Sequence, residues 1–422
     1  MSTAGPPQGA RTAGRQAEGR PVTASGFSAR APWVIVLAGV AAALHVGKLP
    51  PAVPALQQAM GIGLVQAGFL LSLVQLGAVL LGLVAGLLAD GVGLRRCMLT
   101  GLALLTAAGL AGAAARDATD LLLLRAIEGV GFLLTTVPAP SLLRRAVAPA
   151  RLTRMLGVWS TYMPFGTALA LLAGPLLIGV LGWRGWWVLT ALCTAAMLVW
   201  LPQAVPRDVR APARAGDVPA AEPWHRRLAT TLRAPGPWLA ALCFAVYAAQ
   251  WLAVIGFLPT LYQQSGWGGA LGAVLTATVA AVNMVGNIGA GRLLHRGVNA
   301  RTVLWSGFAA MAVGAWLAFG SATVDAPVLR YGGALLFSTV GGLIPGALFA
   351  LAPRVAPGEG HIATTVGWIQ QWSAIGQMSG PPVVAWVASR VGGWDWTWAV
   401  TGTYGAVGLV LAWALQRYGV RR

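Results

Sequence analysis

Stretches of about twenty apolar residues, each long enough to cross the hydrocarbon core of a bilayer as an α-helix, recur along the chain from residue 33 to residue 415. No other feature narrows the choice of fold as far. In lipid, every backbone N–H and C=O must be satisfied inside the protein, so a crossing segment is either a helix or a strand of a closed barrel. Barrel strands need only about ten residues of alternating polarity, whereas these runs are longer and apolar all round. They predict an all-α membrane protein.

The runs fall at 33–57, 63–88, 98–114, 121–142, 156–180 and 186–201, and again at 238–262, 271–293, 303–319, 334–351, 362–388 and 398–415, twelve in all. Only 9% of residues are charged, too few to cover a water-facing surface, where roughly 25% is usual. Many of the 56 glycines and 26 prolines interrupt the runs, which membrane helices tolerate because their neighbours re-satisfy the freed backbone groups.

A net charge of +18 raises the question of nucleic acid, but its distribution answers a different one. Arg95 and Arg96, Arg144 and Arg145, Arg151 and Arg154, six arginines between 207 and 233, and Arg292, Arg296, Arg301 and Arg354 all fall in alternate connections. The other connections hold little beyond Arg116, Arg184 and Arg390. The bias is the positive-inside rule, and it predicts both termini in the cytoplasm, with no nucleic-acid partner. Sparse lysine and a Gly/Ala/Arg/Pro-rich tail suggest a bacterial inner membrane. No cleavable signal is expected before the first run, and Cys97, Cys193 and Cys243 have no metal or disulfide spacing.

The two halves repeat each other. Pro32–Trp33 recurs at Pro237–Trp238, and the same shift of 205 residues takes Pro54 to Pro259, Arg125 to Arg330, Pro140 to Pro345, and Gly86 and Arg96 to Gly291 and Arg301. The expected organisation is a disordered cytoplasmic tail (1–31), a six-helix bundle (32–201), a cytoplasmic linker (202–236), a second six-helix bundle (237–416) and a short tail (417–422). Two parallel bundles leave a cavity between them near the bilayer midplane, and rocking one against the other opens it to either side.

Several motifs carry a family resemblance over nearly the whole chain. "GLLADGVGLRRCML", Gly86 to Leu99, resembles the loop motif between the second and third helices of the major facilitator superfamily. Gly86, Asp90, Gly93, Arg95 and Arg96 match, while Gly91 stands where an arginine is usual. The copy in the second half, Gly291 to Arg301, keeps Arg296 and Arg301 but has His295 at the acidic position. The resemblance implies alternating-access transport, action as a monomer, and a cytoplasmic latch between the bundles built on these residues. "RAIEGVG", Arg125 to Gly131, is similar to a fourth-helix motif associated with proton coupling. "AGPLLIG", Ala173 to Gly179, only partly matches the fifth-helix antiporter motif, and "HVGKLPPAVPALQQAM" is weakly similar to the cyanate and nitroimidazole transporter-like branch.

Two constellations of charge lie inside apolar runs. Arg125 and Glu128 share a helix face, and a lone charge at that depth costs about 2.5–3.5 kcal/mol on insertion scales. Glu128 is the one acid expected within a span, so it is the candidate for proton coupling, with Arg125 beside it. His45 and Lys48, the chain's single lysine, share a face of the first helix and are candidates for contact with an anionic substrate. The competing reading leaves Lys48 snorkelling where "GKLPP" breaks the helix. Gln75, Tyr162, Gln250, Asn283 and Gln371 are candidate cavity-lining hydrogen-bond partners, or else glue between helices. Clustered tryptophans such as Trp183, Trp186 and Trp187 read as an interfacial belt.

The expected function is secondary active transport of a small solute, an organic or inorganic anion, coupled to protons. Drug efflux is the alternative within that class, and a non-transporting sensor is the alternative outside it. No nucleophile triad, metal cluster or nucleotide loop suggests an enzyme, a cofactor or an ATP-driven pump.

Overall fold

Proline in the first turn of a helix forfeits an N–H that has no partner there anyway, and this chain uses the device repeatedly. It starts α1 (Ala31–Gly47), α7 (Pro149–Trp159), α10 (Pro235–Gln264) and α13 (Pro327–Gly341). The computed structural model describes residues 27–83, 93–208 and 223–420, and every regular element among them is helical.

In the first half, α1 passes through a tight turn at Pro50–Ala52 into α2 (Val53–Met60). Then α3 (Leu64–Ser72) continues through a 3₁₀ turn, Leu73–Gln75, into a helical segment at 76–83. Next come α4 (Leu94–Ala113), α5 (Ala118–Thr136), α6 (Ala139–Ala146), α7 and α8 (Tyr162–Ala204). The second half holds α10, α11 (Gly269–His295), α12 (Ala300–Phe319), α13, α14 (Leu343–Val355), α15 (Ile362–Val391) and α16 (Thr397–Val420).

Among the described residues, ten runs are long and apolar enough to cross a membrane. One of them, Pro149–Ala204, holds chain enough for two crossings and divides inside α8 at Gly182, whose φ of 69° suits glycine alone. Counting both parts, and adding α15 with its Gln370, Gln371 and Gln377, the architecture is consistent with the expected twelve. Between the halves the structure adds a helix that the sequence reading left as linker, α9 (Trp224–Arg233), whose Thr231 is buried.

Lipid is as apolar as leucine, so close backbone approach must hold these helices together. Where the second and fourth crossings meet, a Cβ on Gly77 would lie 2.5 Å from the Gly129 carbonyl oxygen, and a Cβ on Gly129 would lie 2.9 Å from the Leu73 and Val74 carbonyls. The Leu73–Gln75 3₁₀ turn sits at this crossing. Apolar side chains such as Leu123, Val180, Val199 and Val328 point outward and are exposed, as a lipid-facing surface requires.

The halves meet along α3 and α15, along α8 and α11, and between the Pro50–Ala52 turn and α10. Gly68 packs on the backbone of Pro382, Gln75 Nε2 donates to Gln377 Oε1 at 2.9 Å, and Gln371 Nε2 donates to the Val79 carbonyl at 2.7 Å. Trp183, Trp186 and Trp187 are buried inside the first half, which corrects their reading as an interfacial belt. Hydropathy marks a tryptophan near a helix end without saying which way the helix turns it.

Candidate functional site

Pro50 and Pro51 cannot donate backbone hydrogen bonds, so α1 ends at Gly47 with Lys48 as its C-cap, and the chain tightens: Ala52 N–H goes to the Leu49 carbonyl. The Lys48 carbonyl instead accepts from the Trp186 indole at 2.9 Å. Lys48 lies a little past the middle of the Ala31–Met60 crossing. Glu128 lies near the middle of the 19-residue α5, whose start is fixed by Asp117 accepting from the backbone N–H groups of Thr119 and Asp120. Packing of α1 against α5 brings the two to the same depth.

They join in one cluster. Lys48 Nζ donates to Glu128 Oε1 at 2.5 Å, and Arg125 Nη1 donates to Glu128 Oε2 at 2.5 Å. Arg125 also ties the crossings together, donating from Nη1 to the His45 carbonyl at 2.7 Å and from Nε to the Leu70 carbonyl at 3.1 Å. The Lys48 ammonium sits 4.8 Å from the ring centre of Trp187, a cation–π contact. His45 and Lys48 are 0% exposed, Arg125 and Glu128 1%. The sequence presented two separate pairs; the fold makes them one site, and Lys48 does not snorkel.

His45 is the hinge of its hydrogen bonding. Nδ1 lies 3.0 Å from Glu128 Oε1 and 3.2 Å from Lys48 Nζ. With a proton on Nδ1 the ring donates to Glu128; without one it accepts from Lys48, and it cannot do both. His45 Nε2 and Arg125 Nη2 have no hydrogen-bond partner among the described residues. Two basic side chains and one carboxylate thus share a buried interior with a ring that can hold its proton on either nitrogen, an arrangement suited to taking up and releasing a proton.

The remaining candidates disperse. Gln75 is buried and bonded across the halves to Gln377, another polar residue within a span, and Gln371 reaches across to Val79 with Oε1 left without a partner among the described residues. Gln250, the repeat counterpart of His45, is fully buried, and neither amide atom has a partner among the described residues. Tyr162 stacks on Trp159 with ring centres 4.3 Å apart. Asn283 is used as glue: it donates to Tyr247 Oη at 3.0 Å and to the Ser338 carbonyl at 2.9 Å, and accepts from Asn287 at 2.9 Å. Buried Tyr247 and Ser338 could have been picked out only as polar residues in apolar runs.

Of the gate residues, Gly86 and Asp90 lie outside the described residues. Gly93 takes φ 102°, and directly after it the backbone N–H groups of Arg95 and Arg96 donate to Asp208 at 3.1 and 3.0 Å. Asp208, from the chain beyond the sixth crossing, thus caps α4. Arg95 also donates to the Pro202 carbonyl. Arg301 donates to Gln416 and stacks on Trp305, while Arg296 caps α11 in an exposed position. These bonds hold each half together.

Comparison with known proteins agrees with this architecture. A sequence model of the Major Facilitator Superfamily matches residues 35–380. The chain is 28% identical over 335 residues to the 3-(3-hydroxy-phenyl)propionate transporter of Escherichia coli (strain K12), covering 77% of this chain and 78% of the relative. It is 33% identical over 162 residues to the puromycin resistance protein pur8 of Streptomyces alboniger, where the match spans 38% of this chain and 32% of the relative. Among solved structures it superposes with TM-score 0.78 on a bacterial homolog of the human lysosomal transporter Spinster, inward-facing and unoccupied, at 16% identity and covering 94% and 99% of the two chains. The D-xylose-proton symporter gives TM-score 0.71 at 14% identity over 90% and 96%. At such identities the likeness is one of fold. The weak resemblance to the cyanate-type branch gains no support from these matches.

Proposed function

The chain belongs to the Major Facilitator Superfamily, whose members here are transporters and not enzymes, and on that premise we propose that it carries a small organic anion across the membrane together with protons. The observation that carries this reading is the buried meeting of one carboxylate, Glu128, with Lys48, Arg125 and His45.

Protonating Glu128 removes the one negative charge of the cluster and leaves Lys48 and Arg125 uncompensated. A substrate carboxylate reaching the crossing interface then restores the balance that the proton upset, so proton and anion binding favour each other through charge. His45 relays the proton, because its Nδ1 already touches both Glu128 and Lys48. On this reading His45 and Lys48 act chiefly in coupling, and Lys48 meets substrate only once its bond to Glu128 opens. Gln250, with both amide atoms lacking a partner among the described residues, is the leading neutral contact, alongside Gln75, Tyr162 and Gln371. The E. coli relative, named for an aromatic propionate, supports an aromatic carboxylate as the substrate class.

The arginine-rich connections face the cytoplasm in this reading, with both termini there and the bundles at 32–201 and 237–416 rocking as two bodies in a plasma membrane. The match to the puromycin resistance protein favours a second reading, proton-driven efflux of a drug, over the 162 residues that it covers. Uptake of 3-(3-hydroxyphenyl)propionate into proteoliposomes, driven by an imposed pH gradient, separates the two. Accumulation that collapses with the gradient supports the anion reading, and its absence alongside puromycin-driven proton movement supports the other.

A further inference from the structure

The repeat matches Arg125 to Arg330 but Glu128 to Gly333, so the second half keeps the arginine and lacks its carboxylate. What stands around Arg330 is a cavity of about 330 Å³ lined by Leu258, Tyr262, Ser265, Trp267, Pro327 and Arg330, among others. It lies between the end of α10, the end of α12 and the start of α13, away from the charge cluster of the first half.

Arg330 Nη2 donates to the Gly320 carbonyl at 3.2 Å, and the guanidinium reaches exposed Asp395 only at 3.8 Å. Its Nε is buried and has no partner among the described residues. Tyr262, which lines the same cavity, is 5% exposed, and its hydroxyl is likewise buried without a partner among the described residues. A buried donor without an acceptor is costly, and one from Arg330 together with one from Tyr262, two residues that line the same cavity, calls for an oxyanion. Ser265 and the amphipathic ring of Trp267 complete a rim at the helix ends. Val324, Val328 and Leu329 next to it are exposed apolar side chains that acyl chains would cover.

We propose that this cavity binds a phosphate-type oxyanion, the headgroup phosphate of an anionic phospholipid, with Arg330 and Tyr262 as its donors. With Gly333 at the repeat position of Glu128, the ligand adds negative charge beside Arg330 to that of the exposed Asp395 at 3.8 Å. The same donors accept free inorganic phosphate, so the source is decided by the probe.

The test is thermal unfolding of the purified full-length protein in an uncharged maltoside detergent, titrated with dihexanoyl-phosphatidylglycerol, with inorganic phosphate and with dihexanoylglycerol. The expected result is saturable stabilisation by the phospholipid and none by dihexanoylglycerol. Arg330→Gln weakens that response about 10-fold or more, the scale of a lost charged hydrogen bond. Tyr262→Phe weakens it a few-fold while the unliganded midpoint stays put, because the hydroxyl makes no bond to lose; this variant carries the test if Arg330→Gln folds poorly. Stabilisation by inorganic phosphate that also depends on Arg330 and Tyr262 upholds the site and assigns it to a free oxyanion. Equal stabilisation by dihexanoylglycerol, no stabilisation by either phosphate probe, or variants that respond like the parent overturn the proposal.

Discussion

Lys48 Nζ lies 2.5 Å from Glu128 Oε1 at the middle of the first half, with Arg125 on the other carboxylate oxygen. Breaking a buried ion pair by removing one partner costs about 3–5 kcal/mol, whereas removing a surplus charge costs far less. Glu128→Gln strands two cations. Lys48→Met leaves the Arg125–Glu128 pair balanced. We expect the first to lower the unfolding midpoint in detergent much more than the second, and the double variant to recover part of the loss. A larger loss for Lys48→Met reverses this order and removes the charge argument.

The close crossing of Gly77 and Gly129 admits no side chain, since the neighbouring atoms are backbone. Gly129→Val is expected to abolish folded yield, and Gly77→Ala to cost about 1–3 kcal/mol by overpacking. Monodisperse elution of Gly129→Val in size-exclusion chromatography contradicts this packing.

Asp208 accepts two backbone bonds at the start of α4, so Asp208→Ala is expected to cost about 0.5–2 kcal/mol, while Asp208→Asn, itself a good N-cap, costs less. The unfolding midpoint of the purified protein in detergent reads the difference, with Asp208→Ala lowered and Asp208→Asn near the parent value.

Much of the architecture was legible before the structure, and for physical reasons. Crossing lengths follow from bilayer thickness, and the duplication shows in landmarks such as Pro54 and Pro259. The pairs His45–Lys48 and Arg125–Glu128 follow from helical spacing. Their union was not legible, because it joins residues 80 apart in sequence, and periodicity reports only which residues share a face on one helix. Trp186 and Trp187 were misplaced for the same reason. Asp208 was passed over because nothing in a linker's composition shows which helix end a lone carboxylate will cap. Gln75 and Gln371 were picked out as polar, but not as bridges between the halves.

Those bridges have a consequence for motion. Gln75–Gln377 and Gln371–Val79 must break if the halves part along α3 and α15. Polar contacts of this kind average about 0.6 kcal/mol in membranes, which corresponds to roughly a threefold change in an equilibrium. Gln377→Leu is therefore expected to raise alkylation of a cysteine placed at Val79 about threefold. An unchanged rate means that this bond does not bias the two arrangements.

The most direct test of the central claim is accumulation of a radiolabelled aromatic carboxylate by proteoliposomes containing only this protein, under an imposed pH gradient, for the parent and for Glu128→Gln. The parent is expected to concentrate the substrate while the gradient lasts. Glu128→Gln is expected to lose accumulation yet retain gradient-free exchange of labelled for unlabelled substrate. Undiminished gradient-driven accumulation by Glu128→Gln contradicts the central claim and takes proton coupling away from the Lys48–Arg125–Glu128–His45 cluster.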